Sequence, residues 1–188
     1  MSETADLDTF TAQAREWLDA NANQKPADTG HGTIEWGKGE FSVAVFHNLE
    51  MDEERSMLAK ISAWTQKKAE VGYHRVEWET ELGGLGLTTD HKQAFARIEA
   101  EYEIPTSHEL HSVTTELIAP TIKLLGTDWQ KDQWLEKWAT ARELCCQLFS
   151  EPAAGSDLAN VAMKADKDGD EWVLNGQKVW SSGAQFAA

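Results

Sequence analysis

Apolar residues recur every three or four positions through most of the chain, which is the spacing of a helix with one buried face. In the first such stretch they are Phe10, Ala14, Trp17 and Leu18. Asp6 or Asp8 is placed to cap the start of this helix, because a short carboxylate can accept hydrogen bonds from the first N–H groups. A stretch rich in glycine, proline and asparagine follows at 21–41 and predicts a long loop.

Two more helices are predicted next. The second helix runs from about Asp52 to Val71 and ends at Gly72. Its apolar face consists of Met57, Leu58, Ile61, Trp64 and Ala69. A turn with three glycines comes after it, and Thr89 or Asp90 is then placed to cap a third helix that extends through Tyr102.

The fourth and fifth helices are predicted to follow closely. The fourth, at 108–126, is expected to bend or break near Pro120, because proline lacks the N–H that a helix interior uses. Gly126 is placed to end it. The fifth, at 127–142, carries three apolar residues on one side, Trp134, Leu135 and Trp138.

After Glu143 the pattern changes to one that is typical of strands. The run LCCQLF at 144–149 is long enough for a buried strand and too short for a helix. Alternating apolar and polar residues follow, and they predict strands in the segments VAMKAD, EWVLN and QKVWSS. The pairs Asp168-Gly169 and Asn175-Gly176 are two signals for tight hairpins.

Helices followed by strands indicate the α+β class. We expect an all-α N-terminal helical domain at 1–142 and an antiparallel β segment at 143–188. The predicted strands would leave an open sheet edge, which favours pairing with another chain. We therefore expect self-association or a dedicated partner.

Charge argues against two classes of partner. Across 188 residues, 17 lysine and arginine side chains stand against 32 aspartates and glutamates, for a net charge of −15. Because nucleic acids and anionic membrane surfaces are bound through basic side chains, neither is an expected partner. Small phosphate-bearing ligands are not excluded, since backbone N–H groups can hold them.

The cysteines and the first residues bear on the compartment. Cys145 and Cys146 are adjacent, so they form no disulfide framework, and two thiols fit a reducing cytosol. The opening residues are acidic and lack the apolar core of a secretory signal. No stretch approaches the ~20 apolar residues that span a bilayer. We therefore expect a cytoplasmic protein.

Two motifs have simpler explanations than a ligand site. The glycines of ELGGLGLT do not match the dinucleotide-binding spacing GxGxxG, and a turn between helices explains them. His108 and His111 have a spacing that can bind a metal. No third ligand lies at a matching spacing, so a surface or core histidine pair is favoured and no metal is expected.

The loop FSEPAAGSD at 149–157 has a composition suited to a polar ligand. A proline and a glycine shape its turn, and Ser150 and Ser156 supply hydroxyl donors for an anion or the polar edge of a ring. Downstream, Trp180 offers a flat surface on which a heterocycle could stack. Taken by themselves, these residues favour the alternative of a capped turn beside a core tryptophan.

A resemblance to a known family changes this balance. The segments CQLFSEPAAGSD and GDEWVLNGQKVWSSGA resemble the signature of the acyl-CoA dehydrogenases. VEWETELGGLGLT and IAPTIKLLGTDWQKDQWLEKWATARELCC resemble earlier segments of that family, and AREWLDANA is similar to its opening helix. The resemblance implies a helical domain followed by the beginning of an antiparallel β-barrel domain, truncated relative to the family. Ala153 stands where the family loop has glycine.

The resemblance also implies a site for FAD. The cofactor-binding positions that it indicates are Gln147, Phe149, Ser150, Gly155, Ser156, Trp180, Ser181 and Ser182. In such enzymes the Phe149 backbone and the Ser150 hydroxyl would donate to the polar edge of the flavin ring. Trp180 would lie against a ring face, and Ser182 would bond near the redox nitrogen. Ser156 would lie near the pyrophosphate or the acyl-CoA substrate.

The implied reaction is one of fatty acid or lipid β-oxidation. The family removes a proton alpha to a thioester and passes a hydride from the beta carbon to the flavin, and an electron-transfer flavoprotein or a similar acceptor takes the electrons. Its general base is a glutamate in a C-terminal domain, so no catalytic residue is assigned to this chain.

We therefore expect the N-terminal portion of such an enzyme, in a homo- or hetero-oligomer with another acyl-CoA dehydrogenase chain. Two alternatives stay open. One is a non-catalytic or split subunit that completes a flavin site with a partner chain. The other is a helical scaffold that binds no flavin.

Overall fold

The computed structural model describes residues 6–26, 49–105 and 107–188. Within them the five predicted helical regions are helical, and a small two-stranded sheet follows. The α+β prediction is therefore confirmed. The loop predicted at 21–41 lies outside the described residues from position 27 onward.

The chain forms two compact units. The first contains the described residues up to 108 together with 139–142, and the second contains 109–138 together with 143–188. The domain boundary at 142 comes from the change in hydrophobic periodicity, whereas these two units are defined by contacts between residues. The boundary therefore stays a prediction.

The described part of the first unit contains the α-helices α1 (Leu7–Asn21), α2 (Met51–Ala69) and α3 (Thr89–Glu99). Asp6 caps α1 as predicted, since its carboxylate accepts a hydrogen bond from the Thr9 N–H at 3.4 Å. After α2 the chain turns at Gly72, whose φ of 80° is one that glycine adopts without strain.

The core of this unit lies largely between α1 and α3. Its buried residues are Phe10, Ala14, Leu18, Val76, Phe95, Ile98 and Tyr102. Aromatic rings fill much of the remaining space. Tyr73 stacks on Phe95 with ring centroids 4.7 Å apart, and Trp17 lies edge-on to Tyr73 at 5.3 Å.

Both ends of α3 differ from the prediction. Thr88, rather than Thr89 or Asp90, occupies the capping position. Its hydroxyl forms a hydrogen bond with Nδ1 of His91 at 2.7 Å. The hydrogen-bond partner of the capping side chain is therefore a ring nitrogen, whereas in an ordinary N-cap it is a backbone N–H of the first turn. The helix also ends three residues before Tyr102. The chain leaves it through tight turns, and these bring the Tyr102 ring into the core.

The helical elements from 109 to 139 change pitch repeatedly. They are α4 (Glu109–Ser112), a π-helical segment (Val113–Ile118), α5 (Ala119–Leu125), α6 (Asp128–Gln130), a second π-helical segment (Lys131–Leu135) and α7 (Glu136–Ala139). The first π-helical segment is followed directly by α5, so the structure has a change of helical pitch within one continuous stretch where a bend or break near Pro120 was predicted. Pro120 lies in the first turn of α5, where the N–H that it lacks is not needed. Trp134 and Trp138 stack at 5.4 Å, on one side as predicted.

Two strands, β1 (Lys164–Asp168) and β2 (Glu171–Asn175), form an antiparallel hairpin. Asp168 pairs with Glu171, so the two-residue loop is Gly169-Asp170, one position later than the predicted Asp168-Gly169. A loop of this length that begins with a positive φ favours glycine there, and Gly169 has a φ of 61°. Every residue of both strands is exposed.

Three predicted β features are wrong for the described residues. The run 144–149 and the segment QKVWSS are not strands, and Asn175-Gly176 forms no hairpin. A strand pair needs a ladder of backbone hydrogen bonds. Among the described residues, a single backbone bond, from the Val179 N–H to the Ser150 carbonyl at 3.0 Å, joins QKVWSS to the residue that follows the run 144–149.

Candidate functional site

The candidate site consists of the loop at 149–157 and the segment at 178–182, both in the second unit. The chain enters it alongside the first π-helical segment. The buried Thr114 hydroxyl accepts a hydrogen bond from the Cys145 N–H at 2.9 Å and lies 3.1 Å from the Cys145 carbonyl oxygen. Burial raises the pKa of the Cys145 thiol. Thr114 thus fixes the backbone shortly before Phe149.

The chain leaves the site against the same helical stretch. Gly183 follows the segment at 178–182 and has a φ of 76°. A Cβ at this position would lie 3.0 Å from the Cβ of Leu110 in α4. Glycine therefore allows both the backbone conformation and the close approach to the helix.

The loop contains a closed turn. The Glu151 N–H bonds to the Ala154 carbonyl at 2.8 Å, and the Ala154 N–H bonds to the Glu151 carbonyl at 3.1 Å. Pro152 occupies the first corner, where its restricted φ suits a tight turn. Ala153 is not among the described non-glycine residues with positive φ, so alanine in place of the family's glycine brings no backbone strain.

The Glu151 carboxylate joins three parts of the chain. Its Oε2 accepts from the Ala162 N–H at 2.7 Å, and its Oε1 accepts from the Met163 N–H at 3.0 Å. Oε1 also accepts from Nζ of Lys178 at 2.8 Å. The Glu151 side chain is only 7% exposed. A buried carboxylate with three donors holds the loop, the approach to β1 and the segment at 178–182 together.

These donors set the acidity of the loop carboxylates. The bond from the Ala162 N–H, followed by that from Lys178, lowers the pKa of Glu151 to about 2. The bond from the Asn160 side chain at 2.8 Å, followed by that from the Gly155 N–H at 3.1 Å, lowers the pKa of Asp157. Both groups therefore carry negative charge at neutral pH.

Acid is expected to weaken the loop through Glu151. Because its pKa in the folded chain lies below the ordinary value of 4.5, its contribution is complete above pH 4.5 and is lost as the pH falls toward about 2. At pH 6, Glu151→Gln should reduce the hydrogen-exchange protection of the Ala162 and Met163 amides by roughly tenfold. The difference in protection between Glu151→Gln and the wild type should shrink as the pH falls from 4.5 toward about 2.

Glu171→Gln is the matched control, because Glu171 is an exposed carboxylate on β2. Its exchange pattern should follow that of the wild type at every pH. A gap between Glu151→Gln and wild type that stays constant down to pH 2 would contradict the role given to the carboxylate charge.

Trp180 has an unusual conformation at the surface. Its φ is 57°, in the left-handed region that bulky residues rarely adopt, and its side chain is 89% exposed. The Val179 N–H bond to Ser150 holds the residue before it, and the Ser182 N–H bonds to the Trp180 carbonyl at 3.0 Å. The backbone therefore presents an indole that the rest of the described chain does not cover.

Several hydroxyl groups at the predicted site make no hydrogen bond to any described residue. They belong to Ser150, Ser156, Ser181 and Ser182. A methyl group added at Gly155 would meet nothing within 4 Å. The loop is thus open and carries unused donors on its surface.

The structure brings some of the predicted residues together and not others. Phe149 and Ser150 are hydrogen-bonded to Lys178 and Val179, next to Trp180. Gln147 lies earlier on the same run and is partly buried, whereas Phe149 is 56% exposed.

The remaining predicted positions follow the closed turn. Gly155 is held by Asp157, and no hydrogen bond between described residues joins Gly155 or Ser156 to the segment at 178–182.

Sequence reasoning missed Glu151 and Lys178. The available signal was a carboxylate inside the loop and a lysine two positions before Trp180. Neither residue is unusual by itself, and their contact joins positions 27 residues apart. The pairing becomes visible only in the folded chain.

Among the described residues, no group of three or more His, Cys, Asp or Glu side chains is placed to hold a metal ion. Nε2 of His108 instead bonds to Oε1 of Glu54 at 2.8 Å. No helix in the described ranges combines the length and the apolar character needed to cross a bilayer.

Two family models match consecutive parts of this chain. The family model of the acyl-CoA dehydrogenase N-terminal domain matches residues 42–142, and that of the acyl-CoA dehydrogenase middle domain matches residues 146–188. The chain belongs to the acyl-CoA dehydrogenase family. The resemblance inferred from the sequence is therefore confirmed, and members of this family are flavoproteins that use FAD.

Individual relatives match most of this acyl-CoA dehydrogenase chain. It is 39% identical over 183 residues to acyl-CoA dehydrogenase IpdE1 of Mycobacterium tuberculosis, a match that spans 97% of this chain and 43% of the relative. It is 33% identical over 128 residues to the mitochondrial short-chain specific acyl-CoA dehydrogenase of Bos taurus, across 68% of this chain and 31% of the relative.

Solved structures also match this chain over part of their own length. The ChsE4-ChsE5 complex from Mycobacterium tuberculosis matches with a TM-score of 0.58 and 26% identity, over all of this chain and 41% of the matched chain. The chain thus spans less than half the length of each of these relatives.

The residues present fit a flavin. Reduction of a flavin places negative charge on its ring, which favours hydrogen-bond donors at the ring edge. Ser150 and Ser182 offer hydroxyls that make no hydrogen bond to the residues the structure describes, and Trp180 offers an aromatic face that is 89% exposed. The donors and the aromatic face that the family site requires are therefore available here.

Proposed function

We propose that this acyl-CoA dehydrogenase chain supplies part of an FAD site, and that the complete assembly oxidises an acyl-CoA thioester between its alpha and beta carbons. The observation that carries this proposal is the bond from the Val179 N–H to the Ser150 carbonyl. It sets the unpaired hydroxyl of Ser150 beside the segment that presents the exposed indole of Trp180.

Each residue has a role that its surroundings support. Ser150 and the backbone of Phe149 donate to the polar edge of the ring, and Trp180 lies along a ring face. Ser182 donates near the redox nitrogen. These roles follow the family site position by position, and the free hydroxyls and the exposed indole support them. Ser156 lies near the pyrophosphate or the acyl-CoA.

The remaining site positions lie beside the donors or within the loop. Gln147 and Ser181 are partly buried and flank the donors, and Gly155 leaves the loop open. When bound, FAD would supply the acceptor for the hydride that leaves the beta carbon. The donors of this chain stabilise the negative charge that results.

The proton, the electrons and the assembly involve groups outside this chain. By the family resemblance, a glutamate of a C-terminal domain removes the alpha proton, and an electron-transfer flavoprotein or a similar acceptor takes the electrons. We propose an oligomer with another acyl-CoA dehydrogenase chain. The match to the ChsE4-ChsE5 complex and the fully exposed hairpin of β1 and β2 support this.

A flavin titration of the complete assembly tests the function. Ser150→Ala should weaken FAD binding by roughly five- to tenfold, because one hydrogen bond to the ring is lost. Trp180→Ala should weaken it by a similar amount, because it removes a stacking face of the kind worth about 1 kcal/mol. Flavin absorbance reports binding, and native mass spectrometry of the same samples reports the number and identity of the chains.

Trp172→Ala is the matched control, since Trp172 is also an exposed tryptophan, 62% accessible, but lies on β2. It should bind FAD like the wild type, and circular dichroism should show unchanged helix content in all three variants. FAD affinities of Ser150→Ala and Trp180→Ala that equal that of Trp172→Ala would leave the loop as an ordinary turn.

A further inference from the structure

We infer that Lys178 is a positioning residue, which acts with Glu151 to hold the donor edge of the loop and the Trp180 segment in one fixed arrangement. This inference rests on the proposed function, because it assigns the arrangement to FAD. Lys178 touches no flavin atom in this account. It acts through Phe149, Ser150 and Glu151.

The Lys178 ammonium bridges two residues of the loop. Its Nζ donates to the Phe149 carbonyl at 3.1 Å and to Oε1 of Glu151 at 2.8 Å. The side chains of Lys178 and Glu151 are only 20% and 7% exposed. An ion pair shielded from water in this way keeps its geometry better than one on the surface.

These bonds fix the backbone that carries the ring-edge donors. The Phe149 carbonyl belongs to the planar peptide group that joins Phe149, whose N–H is one donor, to Ser150, whose hydroxyl is the other, so a bond to this carbonyl holds the peptide between the two donors. The next residue along, Val179, donates its N–H to the Ser150 carbonyl at 3.0 Å. Consecutive residues of one segment therefore hold two consecutive peptide groups of the other.

The same bonds hold Trp180. Its left-handed backbone is a conformation that persists only when the surroundings impose it. Lys178 and Val179 directly precede it, and both are bonded to the loop. Loss of the Lys178 bonds would free the segment on one side of Trp180 and leave the Phe149 carbonyl without its ammonium donor.

The test compares variants of Lys178 in the complete assembly. Lys178→Met removes the charge and keeps a long side chain, and Lys178→Arg keeps the charge. Lys167→Met is the control, since Lys167 is an exposed lysine of β1 outside the site. Three quantities are measured: amide hydrogen exchange of 147–151 and 178–182 without FAD, FAD affinity, and the visible absorption spectrum of the bound flavin.

Lys178→Met should lower the protection of both segments by roughly tenfold and weaken FAD binding by roughly tenfold, with an altered flavin spectrum. Lys178→Arg should keep most of the exchange protection and most of the FAD affinity, and Lys167→Met should match the wild type in both. If circular dichroism shows that Lys178→Met does not fold, Lys178→Gln replaces it. Gln keeps an N–H donor, and the losses should go in the same direction and be smaller.

Two results would overturn the inference while leaving the proposed function intact. One is wild-type FAD affinity in Lys178→Met. The other is weaker FAD binding with unchanged hydrogen exchange, which would place Lys178 in direct contact with the ligand. Absence of FAD binding by the wild-type assembly is a different result, because it would overturn the proposed function and the positioning role with it.

Discussion

Replacement of Gly84 by alanine is expected to destabilise the first unit by about 3 kcal/mol or more. A Cβ at this position would overlap the Trp78 carbonyl oxygen and lie 2.5 Å from the Arg75 carbonyl oxygen. Both oxygens belong to hydrogen-bonded backbone, since the Gly86 N–H bonds to Trp78 at 2.7 Å and the Trp78 N–H bonds to Arg75 at 3.0 Å. Such backbone cannot rotate aside as a side chain can, so the turn has to open.

Gly86→Ala isolates the effect of space from that of conformation. Gly86 has a φ of 63°, but a Cβ there would meet nothing within 4 Å. The strain of a left-handed alanine alone should cost about 1 kcal/mol. Urea unfolding followed by circular dichroism measures both variants. Equal unfolding midpoints for Gly84→Ala and Gly86→Ala would contradict this prediction, because they would show that the Trp78 and Arg75 carbonyl groups move aside with little loss of stability.

Tyr102→Ala should destabilise the same unit by about 4 kcal/mol, because it leaves a cavity in a packed core. Tyr102 has no exposed surface and is among the largest fully buried side chains in the described ranges. Its hydroxyl donates to Oδ1 of Asp19 in α1 at 2.7 Å. The ring therefore ties the chain that follows α3 to the first helix.

Tyr102→Phe separates the hydrogen bond from the packing. It keeps the ring and removes only the hydroxyl, which should cost about 1 kcal/mol. Asp19 retains a second donor, Nε2 of Gln24 at 2.8 Å, so its carboxylate is not left bare. Thermal unfolding of both variants is the measurement. A loss in Tyr102→Phe as large as that in Tyr102→Ala would mean that the bond to Asp19, and not the buried ring, carries the stability.

The two glycines and Tyr102 show how far a local pattern reaches. Sequence reasoning identified the turn of ELGGLGLT as a simple connection between helices, and the structure agrees. It did not identify Gly84 as the glycine with no room for a side chain, because the atoms that fill this space belong to Arg75 and Trp78. Likewise, the periodicity predicted that α3 extends through Tyr102. In the structure the helix ends at Glu99, and Tyr102 lies beyond it with its ring buried in the core.

The site divides in the same way. The composition of the loop and its resemblance to the family indicated Ser150 and Trp180, since donors and a flat ring are recognisable as residue types. The contacts that arrange them were not recognisable. The Glu151 carboxylate accepts hydrogen bonds from Ala162, Met163 and Lys178, and the spacing of these residues along the chain does not predict that they meet.

The sequence by itself determined the helical regions, the cap at Asp6 and the family, because each depends on residues that are neighbours along the chain. Tertiary structure alone decided which alternating segments became strands and which carboxylate became buried. Alternation describes the faces of a strand but supplies no partner, and QKVWSS makes a single backbone bond to the loop instead of a ladder. A buried charge likewise requires donors from several segments at once, so Glu151 could be recognised only after the chain had folded around it.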